Sequence, residues 1–206
     1  MRLIFLRHGD TEVKVEERVQ EVNSPLSEAG KLQVKKVVKD LIPFNIDLIV
    51  SSPLPRARDT AMIINESLHK ELSFNELLSE VKWPSELEGE KTNGPKVEEY
   101  RNLRNEKNVS DISWHYSDEE NFEDLKNRAT KLLGQLRKLK GENVLAVTHS
   151  TFLKVIVSVM CHSDKLTWQV YYDFLTFTKP RHVSISTFNL TDKGKWNLDM
   201  WNFLNE

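Results

Sequence analysis

Short apolar runs alternate along the chain with longer stretches in which apolar residues recur every three or four positions. Runs of the first kind suit strands buried on both faces, and stretches of the second suit amphipathic helices. Leu3 to Leu6 opens the series. After a charged segment, Ser24-Pro25-Leu26-Ser27 marks a helix start, with Ser27 as N-cap, Glu28 in the first turn and a stripe of Leu32, Val34, Val37, Val38, Leu41 and Ile42 before Pro43. Asp47 to Val50 is expected to be a second buried strand and Leu54 to about His69 its helix. Leu72 to Leu78 is expected as a short edge strand.

The stretch from Ser79 to Asp118 is the least regular, broken by Trp83-Pro84, Gly89 and Asn93-Gly94-Pro95, with one helix expected over Val97 to Lys107. An excursion of that length suits a lid or a binding insertion. Trp83 and Trp114 are expected to pack it against the body rather than line a pocket. Periodicity then predicts a helix from Phe122 to Leu139 closed by Gly141, a strand at Val144 to Val147 and a helix from Phe152 to Met160. Val183 to Asn189 and Lys195 to Trp201 read as a hairpin across Asp192-Lys193-Gly194. The sum is an α/β chain whose parallel strands are joined by helices.

Composition narrows this picture. A chain of 206 residues, 39% apolar and 29% charged, is expected to form one soluble domain with a sizeable core. With a net charge of -2, nothing suggests a surface built for nucleic acid or anionic lipid, so any anion site must be local. Cys161, the single cysteine, is expected to be a buried thiol of a reduced compartment. Met1 and Arg2 lead straight into the first strand with no secretion signal, and no apolar run approaches the roughly 20 residues of a membrane helix. A cytoplasmic protein is expected.

Candidate chemistry sits where the apolar runs stop. Three strands end in turn at Arg7-His8-Gly9, at Ser51-Ser52-Pro53 followed by Arg56, and at Thr148-His149-Ser150. Parallel strands bring their carboxyl ends to one edge of a sheet, where ligands bind in open α/β folds. Two histidines and two arginines therefore converge. Neutral imidazole is a nucleophile near neutral pH, and guanidinium matches phosphate oxygens with a planar fork of donors. The pairing points to phosphoryl transfer through histidine. Arg58, in the same first turn as Arg56, is expected on the surface.

Read together, RHG at Arg7 to Gly9, PLSEAG at Pro25 to Gly30, SSPLPRARDTA at Ser51 to Ala61, ENFEDLKNRA at Glu120 to Ala129 and NVLAVTHS at Asn143 to Ser150 resemble the histidine phosphatase superfamily, or phosphoglycerate mutase-like family. The resemblance implies a three-layer α/β/α sandwich with a mostly parallel central sheet, spanning 1–206 with a lid or substrate insertion at about 79–120. It implies His8 as the nucleophile, a phosphohistidine intermediate, and Arg7, Arg56 and His149 around the transferring group. No metal and no cofactor are implied. Glu80, in Leu78-Ser79-Glu80, matches the family's general acid, with Glu86 and Glu88 as alternatives because the connecting stretch is one residue longer than the family's.

Gly9, Thr11, Lys14 and Ser150 are the remaining phosphate- or substrate-binding candidates. Asp10 replaces a more usual Glu, Ser150 stands where Gly is common, and Lys14 and His182 stand where Asn is common. The expected function is a metal-independent phosphomonoesterase, of histidine acid phosphatase type, acting on a small phosphorylated metabolite, with neither nucleic acid nor membrane as partner. The alternatives are a cofactor-dependent phosphoglycerate mutase, disfavoured because the chain ends five residues beyond Trp201, and a non-catalytic phospholigand-binding domain. Substrate identity and oligomeric state stay open.

Overall fold

The computed structural model describes residues 1–11, 18–19 and 23–205. At its centre is a six-stranded sheet in the order β3-β2-β4-β1-β5-β6. β1 (Arg2–Arg7), β4 (Asn143–Thr148), β2 (Leu48–Ser51) and β3 (Glu71–Phe74) run parallel, while β5 (Ile185–Leu190) and β6 (Trp196–Phe203) complete the sheet as an antiparallel pair. Successive side chains of a strand point to opposite faces, so an unbroken apolar run needs cover on both.

β1 shows that demand being met. Leu3 and Phe5 pack with α4 (Phe122–Leu136), α5 (Ser150–His162) and α6 (Trp168–Phe177), whereas Ile4 and Leu6 pack on the other face with α1 (Glu28–Leu41) and α2 (Pro55–Leu68). All four are fully buried, each worth about 1.5–3 kcal/mol relative to exposure. The result is the expected three-layer α/β/α arrangement.

Local signals set the helix ends. The Ser27 hydroxyl accepts from the Gly30 amide at 2.9 Å to cap α1, and Asn121 and Asp124 form a reciprocal capping box at the start of α4. Pro55 occupies the first turn of α2, where a missing N–H costs nothing. Gly194, with φ of 72°, turns the expected β5–β6 hairpin.

Four expectations need correction. The edge strand stops at Phe74 and gives way to a 3-10 turn at Glu76–Leu78, because the Asn75 side chain accepts from the Leu77 amide and turns the backbone. Leu32 and Ile42 are each 60% exposed, since the buried stripe of α1 runs through Val34, Val37, Val38 and Leu41. Cys161 is exposed, in the last turn of α5, whose buried residues end at Val159. Finally, α6 was not anticipated.

The segment between β3 and α4 carries α3 (Pro95–Asn108) and a small core of its own, in which Val19, Leu87, Val97 and Tyr100 are joined by Trp83 and Tyr116. Val19 comes from the chain after β1 and is bound to the insertion, its amide donating to the Glu90 carbonyl at 2.8 Å. Among the described residues no helix is long and apolar enough to cross a membrane.

Candidate active site

Strand register assembles the site. Arg7 of β1 lies opposite Thr148 of β4, so His8 and His149 leave neighbouring parallel strands side by side, and their ring centroids are 5.1 Å apart. Ser51 of β2 lies opposite Val147, which brings Ser52 and the first turn of α2 to the same edge. His149 Nε2 is 2.8 Å from the Ser52 hydroxyl. Its Nδ1 is buried with no hydrogen-bond partner among the described residues.

His8 is 1% exposed and its tautomer follows from one contact. Nδ1 lies 2.7 Å from the Gly9 carbonyl oxygen, which can only accept, so Nδ1 carries the hydrogen and Nε2 keeps its lone pair. Burial, then the charges of His149, Arg7, Arg56 and His182, hold the imidazole well below its ordinary pKa. Burial and the neighbouring Arg56 and Arg7 do the same to His149.

The loop carrying His8 is pressed against α1. A Cβ on Gly9 would come within 2.9 Å of the Gly30 carbonyl oxygen and of a Val34 methyl, and a Cβ on Gly30 would collide with the Asp10 backbone. Two glycines thus permit one close approach. From α2, the Thr60 hydroxyl accepts from the Gly9 amide at 3.1 Å while donating to the Arg56 carbonyl at 2.7 Å.

Arg7 is held from the far side of the sheet. One guanidinium nitrogen donates to the Pro180 carbonyl at 2.6 Å and the other to His182 Nε2 at 3.1 Å. His182 in turn donates from Nδ1 to the His8 carbonyl at 3.2 Å, and its Nε2 lies 3.6 Å from an Asp10 carboxylate oxygen. Burial and the adjacent Arg7 lower the His182 pKa to about 4, so at neutral pH its Nε2 is an acceptor.

Glu80 takes the end of α5. Its carboxylate accepts from the amides of Phe152 (2.9 Å), Thr151 (3.2 Å) and its own neighbour Val81 (3.0 Å). The Thr151 and Phe152 N–H groups are ones a helix start leaves unsatisfied. Arg128 of α4 fixes the approach to Glu80, donating to the carbonyls of Leu77 and Ser79 at 3.2 and 2.7 Å and to the Glu120 carboxylate at 2.7 Å.

A cleft of about 350 Å³ opens over these groups, lined in part by Arg7, His8, Glu80 and Ser150. Arg56 and His149 do not line it; they are 2% and 0% exposed beside His8. Gly9 and the buried Thr11 also lie outside the lining, Thr11 in a bridge with Leu26. Glu86 and Glu88 are exposed away from it, and Arg58 is on the surface paired with Asp59 at 3.1 Å. Lys14 lies outside the described residues. Neither Trp83 nor Trp114 lines the cleft.

Sequence reasoning gave no role to Lys154, Arg101 and Lys179, which line the cleft, or to Ser52 and Thr60 behind it. Lys154 had a usable signal. It is a lone cation inside the apolar run FLKVIVSVM, where a charge is buried only if something holds it. Among the described residues no three His, Cys, Asp or Glu side chains gather as a metal site.

Known proteins align with this arrangement at several levels. PhoE of Bacillus subtilis, an uncharacterized phosphatase, is 39% identical over 66 residues, about a third of either chain (32% of this one and 34% of PhoE). GpmB of Escherichia coli, a probable phosphoglycerate mutase, is 28% identical over 162 residues, covering 78% of this chain and 74% of GpmB. The fold superposes on a mycobacterial glucosyl-3-phosphoglycerate phosphatase complexed with VO3 with a TM-score of 0.79, 98% of each chain covered and 24% identity. The family model of the histidine phosphatase superfamily (branch 1) matches residues 3–203, nearly the whole chain, and the chain belongs to that superfamily.

Proposed function

We propose that the chain is a phosphomonoesterase that hydrolyses a small phosphorylated metabolite through a phosphohistidine on His8, without a metal ion. One observation carries the reading: His8 commits Nδ1–H to the Gly9 carbonyl at 2.7 Å, leaving an unprotonated Nε2 at the cleft beside Arg7 and next to Arg56 and His149. That nitrogen attacks phosphorus in line, forming the N–P bond as the ester O–P bond breaks. Arg7, Arg56 and His149 hold the equatorial oxygens, where charge is carried through the transfer.

The departing alkoxide takes a proton from Glu80, the one carboxyl group among the described residues that line the cleft. Water then attacks the phosphohistidine, Glu80 recovers the proton, and phosphate leaves. The segment at about 79–120 acts as the lid, since it brings Glu80, Thr92 and Arg101 to the cleft. Names of relatives support a phosphatase, although GpmB keeps a mutase as the second reading.

The test is phosphate release in EDTA from p-nitrophenyl phosphate and a panel of phosphorylated metabolites, with and without a bisphosphoglycerate primer. Release that His8→Ala lowers by about a thousandfold or more supports the hydrolase. Turnover that requires primer and conserves phosphate would establish the mutase. Glu80→Gln should slow alkyl phosphates far more than p-nitrophenyl phosphate, whose leaving group hardly needs a proton; equal losses would remove Glu80 from the acid role.

A further inference from the structure

Lys154 is a buried cation that the chemistry above leaves without a task. It lies in the second turn of α5, on the same face as Ser150, and is 7% exposed. Burying an ammonium is unfavourable unless its N–H groups find acceptors. Two of the three donate to the carbonyls of Leu175 (3.0 Å) and Thr178 (3.4 Å). Leu175 belongs to the last turn of α6, whose carbonyls have no partner within the helix and whose dipole favours a cation. Lys154 therefore joins α5, the helix that starts at His149, to the end of α6.

The chain that follows α6 forms a strap across the end of β1. The Pro180 carbonyl accepts from one Arg7 guanidinium nitrogen at 2.6 Å, His182 accepts from the other at 3.1 Å, and the Val183 amide donates to the Arg7 carbonyl at 3.1 Å. Val183 has a φ of 53°, a left-handed backbone that a β-branched residue holds only when its surroundings impose it. A strained segment of this kind depends on its anchors.

Those anchors come from two directions. From β6, the Trp201 indole N–H donates to the Thr178 hydroxyl at 2.9 Å, and the Asn202 side chain donates to the Lys179 carbonyl at 3.2 Å while accepting from the Arg181 amide at 2.7 Å. From α5, Lys154 holds the Thr178 carbonyl and the turn before it. Of these anchors, Lys154 is the one that ties the strap to the helix His149 caps and whose first amides hold Glu80.

We propose that Lys154 is a positioning residue for phosphoryl transfer: by fixing Leu175 and Thr178 it sets the strap, and the strap sets the Arg7 guanidinium relative to His149 and Glu80. This rests on the phosphatase reading for the task of Arg7. Lys154 acts through Arg7, and the proposal requires no contact between its ammonium and the phosphoryl group.

A double-mutant cycle on p-nitrophenyl phosphate tests it, with the parent, Lys154→Met, Arg7→Ala and the two combined, each assayed below its melting temperature. Lys154→Met keeps an apolar stem and loses the donor, so it should lower kcat/KM by about ten- to a hundredfold in the parent. In the Arg7→Ala background the same change should cost less than about threefold, because the strap then has no guanidinium to orient. Lys154→Arg keeps a donating cation and should recover part of the loss. Equal factors in both backgrounds, the mark of a lysine that meets the substrate by itself or only supports the fold, would overturn the proposal. So would an unaltered rate in Lys154→Met. Should Lys154→Met fail to fold, the cycle is run with Lys154→Gln, which has one amide donor in place of the ammonium, under the same criteria. If the parent does not turn over p-nitrophenyl phosphate or any of the phosphorylated metabolites, the phosphatase reading fails, and the cycle is read as affinities for inorganic phosphate by calorimetry. A loss of affinity in Lys154→Met that persists undiminished without Arg7 would then overturn the positioning role, as would a parent that binds no phosphate.

Discussion

His182 is the residue whose role the geometry defines most sharply after His8. It accepts from Arg7 and donates to the His8 carbonyl, so it ties the guanidinium to the backbone of the nucleophile. Hydrogen bonds to charged groups contribute roughly 1.5–3 kcal/mol, so His182→Ala should lower kcat/KM by about ten- to a hundredfold. His182→Asn should recover part of the loss, because an amide oxygen can accept from Arg7 in the same place. A loss that Asn does not rescue would show that His182 only fills space. The approach of His182 was suggested only by the resemblance, which has Asn at its position, with a surface histidine equally open, and its partner was not legible: the pair is 175 residues apart and depends on the loop through Pro180.

At the scale of elements, the fold was legible wherever burial was one-sided or complete. Four apolar residues at Leu3–Leu6 and again at Val144–Val147 demanded cover on both faces, and the structure supplies it. α6 escaped because Trp168, Tyr171, Tyr172 and Phe174 are aromatics that suit strands as well as helices, and only tertiary packing against Phe122 and Phe152's helix decides between them. Thr167, whose side chain accepts from the Val170 amide, was the available N-cap signal.

Contacts between elements carry the other structural predictions. Gly30→Ala puts a methyl group into the Asp10 backbone and must move the His8 loop or α1, so it should cost about 1–3 kcal/mol of stability by denaturant titration and lower activity as well. Arg128 holds both ends of the insertion, at Leu77–Ser79 and at Glu120. Arg128→Lys cannot make all three contacts, so it should raise KM and lower kcat together, as expected when a lid is loosely anchored. A change confined to thermal stability would contradict that role.

For the whole molecule, three histidines set the acid limit, His8 and His149 buried and His182 half-buried. His8 and His149 are held well below their ordinary pKa and His182 lies at about 4. Unfolded histidines titrate near 6.5, so below that pH the unfolded chain binds protons that the native state refuses. Stability should therefore be intact above about pH 6.5 and fall steadily as pH drops toward about 4, read as a declining Tm. A Tm that holds constant over that window would show that the histidines accept protons in the folded protein. The same refusal keeps Nε2 of His8 available, which links the acid limit of stability to the proposed chemistry.

The central claim is that the phosphoryl group passes through His8, and the most direct measurement is to trap it there. The enzyme is mixed with a phosphomonoester substrate, quenched in alkali, where phosphohistidine survives, and mapped by mass spectrometry of its peptides. The account predicts a phosphoryl group on the peptide containing His8, carried on Nε2 and absent from His8→Ala. Phosphate release at an undiminished rate by His8→Ala, or a phosphoryl group trapped on a different residue, would contradict it.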